Sequence, residues 1–157
     1  MPAVRRSIQL GASRIMAVAA RTDRCWVCGP NNPGGLHVPF APDGDHGSVA
    51  HYVAREEHGG WPGMLHGGVI FALMDEALGW ALYFHGLAGV TARFEARYRE
   101  PIAIGAELTI RAWTTDRRKN LMRAVAEVRR ADDGAKLLVE ATATMFLVDV
   151  SAAGGAV

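Results

Sequence analysis

Cysteine and aromatic residues are scarce in this sequence, and neither sign of charge dominates it. Two cysteines occur among 157 residues, and aromatic side chains make up 8% of the chain. Disulfides are therefore not expected to provide the stability, but half of the residues are hydrophobic, which is enough for one ordinary domain with its own core. The formal net charge is +1, from 17 basic and 16 acidic side chains. No overall field favours nucleic acid or an anionic membrane, so we expect neither as a partner.

The sequence also lacks a hydrophobic run of the roughly 18 residues that a membrane-spanning helix needs. The most apolar stretch, Val69 to Phe84, carries Asp75 and Glu76 in its middle. We therefore expect no membrane span. The scarce cysteines, interpreted as free thiols, fit a reducing compartment, so the expected location is the cytoplasm.

The two cysteines, Cys25 and Cys28, stand together in CWVCG. A single CxxC supplies only two of the four ligands of a structural zinc site. A tight turn with reduced thiols is therefore the preferred interpretation, and neither a metal nor a cofactor is expected. The alternative is a zinc protein, which would take its other two ligands from His37, His46, His51 and His58.

Composition divides the chain into three regions. Residues 1–24 contain several arginines and no acid before Asp23, but they lack a hydrophobic segment with a cleavage pattern. We interpret them as an N-terminal extension rather than a targeting peptide. Residues 25–150 form the predicted domain, and residues 151–157, SAAGGAV, form a tail that we expect to be flexible.

Six segments show the features of short strands. In VTARFEARY, Val90, Phe94 and Tyr98 fall on one side while Thr91 and Arg93 fall on the other, which is typical of a half-buried strand. The turn-rich breaks PIAIG, TDRRKN and RADDGAK separate the last four segments, so these are expected to form an antiparallel meander. The predicted strands are Gly35–Phe40, Gly47–Val53, Val90–Tyr98, Leu108–Thr114, Leu121–Arg129 and Leu137–Val148.

One segment between these strand groups, Gly67 to Phe84, has helical character. Its apolar residues are distributed around every face of a helix, a pattern that indicates a buried helix. Such a helix would be about 25 Å long, about the length of a strand of seven or eight residues, so a sheet could curl around it. The predicted fold class is α+β, with a curved antiparallel sheet of about six strands wrapped around one long central helix.

Candidate site residues lie on this helix. Asp75 stands where the helix should be driest, and a buried carboxylate without partners costs on the order of several kcal/mol, so we assign it a function. Glu76 points about 100° away around the axis and is assigned a supporting role beside the substrate. The alternative is that the helix turns one or both carboxylates to a gap open to solvent or to a backbone donor. At the helix start, Gly67 and Gly68 leave backbone amides that can stabilise charge developing on a carbonyl oxygen.

These residues resemble those of the hotdog-fold acyl-CoA thioesterases of the phenylacetyl-CoA thioesterase and THEM type. That family has a His-Gly-Gly motif followed, nine positions after the histidine, by an acidic residue, as His66 and Asp75 stand in LHGGVIFALMDEALGWA. The likeness continues through GVTARFEARYREPIAIGAEL and covers Gly35 to Val148. It implies a hotdog fold and hydrolysis of an acyl-CoA.

The resemblance also implies a role for each matching residue. The Gly67 amide would polarise the thioester carbonyl, and His66 would help to bind at the sulfur or the carbonyl. Asp75 would act as general base or nucleophile, and Thr91 would position the attacking water.

This chain departs from the family pattern at one position. Some relatives carry Asn or Gln six residues before the motif histidine, where this chain has Gly60. The polar clamp on the carbonyl is therefore in doubt. His58 or Trp61 could shape the same wall, and the alternative role for both is packing within the loop.

Spacing along the helix predicts a site shared between two chains. Gly67 and Asp75 are eight residues apart, hence about 12 Å apart along one axis, whereas both must lie within roughly 3 Å of the reacting atoms or their water. Two antiparallel helices around a two-fold axis would bring Gly67 of one chain to Asp75 of the other. We expect a homodimer with active sites at its interface, and the resemblance extends this to a homodimer or homotetramer.

The most basic turn of the chain, TDRRKN, contains Arg117, Arg118 and Lys119. Guanidinium groups suit phosphate, and the resemblance implies that the nucleotide end of CoA lies near such a turn. These three residues are assigned to substrate binding, with a solvated hairpin as the alternative.

The predicted function is hydrolysis of an aromatic or fatty acyl-CoA to free acid and CoA. The alternative is a non-catalytic acyl-CoA-binding protein, which would keep the fold and the pocket without needing an acid at Asp75. A hotdog dehydratase is disfavoured because nothing in the sequence matches its pattern. Residues such as Phe71 and Trp80 suit an aromatic or a fatty acyl pocket equally well.

Overall fold

The structure is a computed structural model, and it describes residues 23–132 and 135–148. The predicted tail at 151–157 lies outside these residues, as does the N-terminal extension apart from its last two positions. Among the described residues, no helix is long and apolar enough to cross a membrane.

A six-stranded antiparallel sheet wraps around one long helix, so the predicted α+β class is confirmed. The elements are β1 Ala41–Asp43, β2 Gly47–Val53, α1 Gly67–Tyr83, β3 Gly89–Tyr98, β4 Glu107–Arg118, β5 Leu121–Arg130 and β6 Leu137–Leu147. A short 3₁₀ turn, Glu56–His58, precedes the helix. The strand order across the sheet is β1-β2-β4-β5-β6-β3, and every neighbouring pair is antiparallel.

The strand predicted at Gly35–Phe40 is wrong, because β1 begins only at Ala41. Leu36 and Val38 are buried as a strand pattern would require. Their amides, however, donate to the carbonyls of residues 26 and 27 at 2.8 and 2.9 Å. Between them His37 has a φ of 54°, in the left-handed region, so the segment does not run as an extended strand.

The predicted four-strand meander is wrong at its first strand. β3 pairs with β6 at the edge of the sheet, and only β4, β5 and β6 follow one another as hairpins. The connection from β3 to β4 passes the start of the helix instead of turning back. In it Ile102 accepts a hydrogen bond from the Leu65 amide, and Ile104 donates one to Gly63. Among the described strands, β3 therefore lies at the edge of the sheet and is paired on one side only.

The helix is buried on one side only, which corrects the prediction of a helix buried all round. The buried side consists of Val69, Ile70, Leu73, Met74, Ala77, Leu78, Ala81 and Leu82. On the other side Phe71 is 42% exposed, and Asp75 and Glu76 are half-buried. The apolar residues of both sides are similar in the sequence, so periodicity alone does not distinguish the side that the sheet covers.

Both ends of the helix and one point near its middle are fixed by specific hydrogen bonds. At the C-terminal end Gly86, with a φ of 70°, donates to Tyr83, and Leu87 donates to Leu82, which is the Schellman arrangement. Near the middle Ser48 Oγ of β2 donates to the carbonyl of Ala77 at 2.7 Å. The sheet therefore holds the helix by a polar contact as well as by apolar packing.

Candidate active site

Thr91 and Asp75 meet where strand β3 contains a β-bulge. The register of β3 against β6 shifts between Thr91 and Arg93, which leaves Ala92 as the extra residue. A bulge interrupts the two-residue alternation of a strand. Thr91 Oγ1 donates to Asp75 Oδ1 at 2.5 Å and lies 3.4 Å from the sulfur of Met145. The alternation predicted for VTARFEARY is therefore wrong at Thr91, which faces the helix while Arg93 does not.

The Asp75 carboxylate is held at one oxygen and open at the other. Oδ1 accepts the Thr91 hydrogen bond, and Oδ2 accepts none from the described residues. Because Asp75 lies on the partly exposed side of α1, its carboxylate keeps access to water or a ligand. The helix thus turns Asp75 towards a gap, which was the alternative to burial in a dry core.

The start of the helix combines a side-chain cap with an unused amide. His66 is the N-cap, and its Nδ1 accepts a hydrogen bond from the Gly68 amide at 2.9 Å. The His66 amide donates to the carbonyl of His58. The Gly67 amide donates to no acceptor among the described residues. It is therefore the amide at this helix end that remains available to a ligand oxygen.

An open groove of about 810 Å³ borders this helix end. Its wall includes Gly67, His66 and Trp61, the last of which is 78% exposed. Tyr98, at the end of β3, lies over the glycine, and its hydroxyl donates to the Gly67 carbonyl at 2.8 Å. Burial raises the pKa of Tyr98, so the hydroxyl remains a donor even at the alkaline pH where a free tyrosine begins to ionise. Tyr98 thus fixes the Gly67 peptide from its carbonyl side.

Sequence reasoning missed Tyr98 as part of this wall. The strand pattern placed it on the inner side of VTARFEARY, but nothing in the sequence indicated contact with a glycine 31 positions earlier. A connection that returns β3 to the helix start creates this contact, and that connection was predicted as a simple turn.

Within one chain the two ends of the predicted machinery lie apart. Asp75 is not part of the groove at the helix start, and Gly67 is not among the hydrogen-bond partners of Asp75 or Thr91. Helix geometry separates Gly67 from Asp75 by about 12 Å. A single chain therefore presents an amide at one place and a carboxylate at another.

In the loop before the helix, Gly60 lies against the His66 side chain. A Cβ on Gly60 would lie 3.1 Å from His66 Cα and 3.2 Å from its Cδ2, so a larger residue here would press on the His66 ring. The His58 Nδ1 is 2.6 Å from the Tyr52 hydroxyl. Burial, followed by the nearby Arg55, lowers the pKa of His58. The His58 side chain thus packs on β2, whereas Trp61 lines the groove.

Glu76 is engaged with the N-terminal segment of the domain. Trp80 Nε1 donates to Glu76 Oε1 at 3.1 Å, and the sulfurs of Cys25 and Cys28 also contact the carboxylate. Burial, followed by the hydrogen bond and charge of Glu76, raises the pKa of the Cys28 thiol. Although they are adjacent on the helix, Asp75 thus contacts Thr91 and Glu76 contacts the two cysteines.

The basic segment predicted as a turn is mostly strand. β4 continues to Arg118, and only Lys119 and Asn120 form the turn, so the prediction from TDRRKN is wrong for its first four residues. Directly opposite residues of an antiparallel pair share a face. Arg117 pairs with the buried Met122, whereas Arg118 pairs with the exposed Leu121. Arg117 therefore lies on the helix side of the sheet and Arg118 on the outer side.

The register also relates the arginine to Thr91. Thr91, Met145, Met122 and Arg117 are successive partners across β3, β6, β5 and β4. With a strand spacing of about 4.8 Å, the backbone of Arg117 lies about 14 Å from that of Thr91.

Comparisons with known proteins agree with this architecture. Residues 62–136 match the family model of the thioesterase superfamily, and no curated protein is found to match the chain. A solved thioesterase superfamily protein shares 26% identity with a TM-score of 0.73, over 79% of this chain and 60% of that one. The chain thus spans less than two thirds of that protein's length.

Two further structures show the likeness of fold. The PaaI protein from the phenylacetic acid degradation operon of E. coli has a TM-score of 0.74 and 18% identity, over 86% of this chain and 96% of that one. A hypothetical thioesterase from Streptococcus pneumoniae, solved with coenzyme A, has a TM-score of 0.65 and 22% identity, over 71% of this chain and 88% of that one. These likenesses show that the chain has the hotdog fold, and the thioesterase superfamily model matches residues 62–136, a little under half of the chain.

Proposed function

We propose that this protein hydrolyses the thioester of an acyl-CoA to a free acid and CoA. The observation that carries the proposal is the Asp75 carboxylate, held by Thr91 at one oxygen and open at the other on the exposed side of the central helix. The free amide of Gly67 beside a groove supports it, as does the structural neighbour that holds coenzyme A.

The hydrolysis follows from what these two groups can do. As general base, Asp75 would take a proton from a water whose oxygen attacks the carbonyl carbon, and the Gly67 amide would donate to the oxyanion that forms. The carbon–sulfur bond then breaks, and the proton goes to the CoA thiolate. As nucleophile, an Asp75 oxygen would attack the carbonyl carbon, and the carbon–sulfur bond would break to leave an anhydride and the CoA thiolate. Water would then cleave the anhydride to the free acid and the Asp75 carboxylate, and the proton released would go to the thiolate. In both routes the Thr91 hydroxyl orients the carboxylate, and it could also guide the water.

Two chains would supply one complete site. The exposed side of α1 and the unpaired edge of β3 lie together, and both carry exposed apolar groups such as Phe71 and Tyr98. Pairing two such surfaces about a two-fold axis would bury these groups and bring Gly67 of one chain to Asp75 of the other. We therefore include a homodimer, alone or within a tetramer, in the proposal.

The expected activity is thiol release from acyl-CoA esters by the purified protein. A panel of aromatic, short-chain and long-chain acyl-CoA thioesters identifies the acyl group. Asp75→Asn keeps the shape of the side chain but removes the base or nucleophile, so kcat should fall about 10²- to 10⁴-fold with little change in KM. Steady-state kinetics on the best substrate of the panel measures both constants.

Asp45→Asn is the matched control, because it makes the same chemical change on the exposed turn between β1 and β2. It should leave kcat unchanged. A wild-type protein that binds acyl-CoA at micromolar concentration without turnover on the whole panel would contradict hydrolysis and favour the non-catalytic binding protein. An Asp75→Asn variant with wild-type kcat would remove Asp75 from the mechanism.

A further inference from the structure

Cys25, Cys28 and Glu76 form a cluster that the proposed hydrolysis does not use. Cys28 Sγ lies 2.8 Å from Glu76 Oε1, and Cys25 Sγ lies 3.4 Å from Glu76 Oε2. Each oxygen of one carboxylate is thus in contact with a different sulfur. One ligand atom from each of the three residues lies within 4.8 Å of the others, and all three residues are half-buried. Soft and hard ligand atoms therefore converge on one small volume.

The backbone of the CWVCG turn holds both sulfurs in place. The Gly29 amide donates to the Cys25 carbonyl at 3.0 Å, and the Val27 amide donates to Cys25 Sγ at 3.4 Å. This amide fixes the position of the Cys25 sulfur. A Cβ on Gly29 would lie 2.4 Å from the Cys25 nitrogen and 2.5 Å from its oxygen. Only glycine closes the turn this tightly, and the turn keeps Cys25 and Cys28 close together in the chain.

The carboxylate of the cluster has its own supporting partner. Trp80 Nε1 donates to Glu76 Oε1 at 3.1 Å, and the Trp80 ring stacks on Phe40 with a centroid distance of 6.4 Å. A hydrogen-bond donor behind a carboxylate, itself fixed by packing, is the usual arrangement around a metal-binding side chain.

We propose that Cys25, Cys28 and Glu76 bind a zinc ion, with the fourth position taken by water or by one further ligand. Two thiolates and a carboxylate suit zinc, because its bonds of about 2.3 Å to sulfur and 2.0 Å to oxygen place ligand atoms less than about 4 Å apart in a tetrahedral site. The histidines considered from the sequence do not join this cluster among the described residues. The structure thus replaces them with a glutamate from the central helix.

The ion would tie the start of the domain to its core. Cys28 and Glu76 are 48 positions apart in the chain, so the ion would close a long loop between the CWVCG turn and α1. Binding that occurs only in the folded state stabilises that state. The role is structural, and it is independent of the proposed hydrolysis.

Cobalt(II) and zinc(II) titrations of the untagged, full-length protein test the site. The protein is stripped with a chelator under reducing conditions and titrated with Co²⁺, whose thiolate complexes absorb in the near ultraviolet. We expect about one ion per chain, displacement of Co²⁺ by Zn²⁺, and an unfolding midpoint raised by roughly 5 to 10 °C at a hundredfold excess of zinc over its Kd. Metal analysis of protein purified without chelator should find zinc at the same ratio.

Matched variants identify the ligands. Cys28→Ser and Glu76→Gln should each weaken zinc binding at least tenfold, whereas Glu57→Gln, on a side chain that is 61% exposed, should not change it. No thiolate absorption band and no zinc-dependent shift in the wild-type protein would overturn the proposal, even if a variant fails to fold. Equal zinc affinity of the wild type and a Cys25→Ser, Cys28→Ser double variant would overturn it as well, because the ion would then bind elsewhere.

Discussion

Ser48 shows how much a single buried side chain contributes to placing the site. It is the only fully buried polar side chain among the described residues, with 0% exposure, and its hydroxyl donates to the carbonyl of Ala77. Ala77 lies two positions after Asp75 on the helix. The contact therefore fixes the position of the helix relative to β2, close to the carboxylate that carries the proposed chemistry.

Replacing Ser48 by alanine should lower the free energy of unfolding by about 1 kcal/mol, because it removes one buried hydrogen bond and leaves a small gap. The helix hydrogen bond to the Ala77 carbonyl remains, so the loss stays near this value. Urea denaturation measures the difference. Ser48→Cys, with a weaker donor of similar shape, should fall between the two, and an alanine variant as stable as the wild type would show that the contact contributes nothing.

At the scale of elements, the arginines of β4 differ by the face they occupy. Arg117 lies on the helix side of the sheet and Arg118 on the outer side. A phosphate of CoA bound near the helix could reach the first but not the second. The sequence assigned both arginines to CoA binding. Because β4 extends to residue 118, only Arg117 lies on the face where the helix packs.

Arg117→Ala should raise KM for acyl-CoA about three- to tenfold, the range expected for one lost charge-assisted hydrogen bond at an exposed site. KM for a short thioester without the nucleotide should stay unchanged. Arg118→Ala is the matched control and should change neither constant, because its side chain is 82% exposed on the other face and pairs with Asp116. Equal effects of Arg117→Ala on both substrates would contradict a phosphate contact.

Local periodicity predicted where the helix and strands lie better than it predicted which strands pair with each other. The helix predicted from Gly67 to Phe84 ends at Tyr83, and the strands from Leu121 and Leu137 begin where expected. The pairing of β3 with β6 could not be predicted, because it joins residues more than forty positions apart along the chain. Strand register is decided by such contacts and not by the alternation within a strand.

The candidate site was predictable to a similar extent. Asp75, Gly67 and Thr91 could be named because the HGG motif and its spacing to an acid are local. The direction of Thr91 could not, since it depends on a bulge at Ala92 that no turn residue marks. The contact of Glu76 with Cys28 was also hidden, because it joins the helix to a segment 48 positions away.

At the scale of the whole molecule, α1 and β3 form a surface on which the described residues leave a strand edge unpaired and apolar side chains exposed. An unpaired strand edge of this length offers hydrogen-bonding groups to another strand, and Phe71 and Tyr98 expose 42 and 46% of their surfaces on these elements. A second copy of the chain would cover both the edge and the apolar groups.

Mixing two inactive variants tests whether the site is shared. A Cβ on Gly67 would lie 3.7 Å from Tyr98, so Gly67→Leu should fold but block the amide, while Asp75→Asn disables the carboxylate. After subunit exchange, half of the dimers should be mixed, each with one intact site, which restores about a quarter of the wild-type activity. Thiol release measures the recovery, and native mass spectrometry verifies the exchange.

Mixing Asp75→Asn with Asp75→Ala is the control, because no pairing of these chains contains an intact carboxylate. Exchange without recovery in the Gly67 and Asp75 mixture would show that each chain carries a complete site.

The bulge at Ala92 also limits how the free edge of β3 can be extended. It interrupts the ladder after Thr91, so the regular part of the strand runs only from Arg93 to Tyr98. Because directly opposite residues share a face, the two-fold axis of a symmetric pairing would pass at one residue: at Glu95, with Arg93 opposite the partner's Arg97, or at Ala96, with Phe94 opposite the partner's Tyr98. The extra residue that turns Thr91 towards Asp75 would thereby also restrict the register between two molecules.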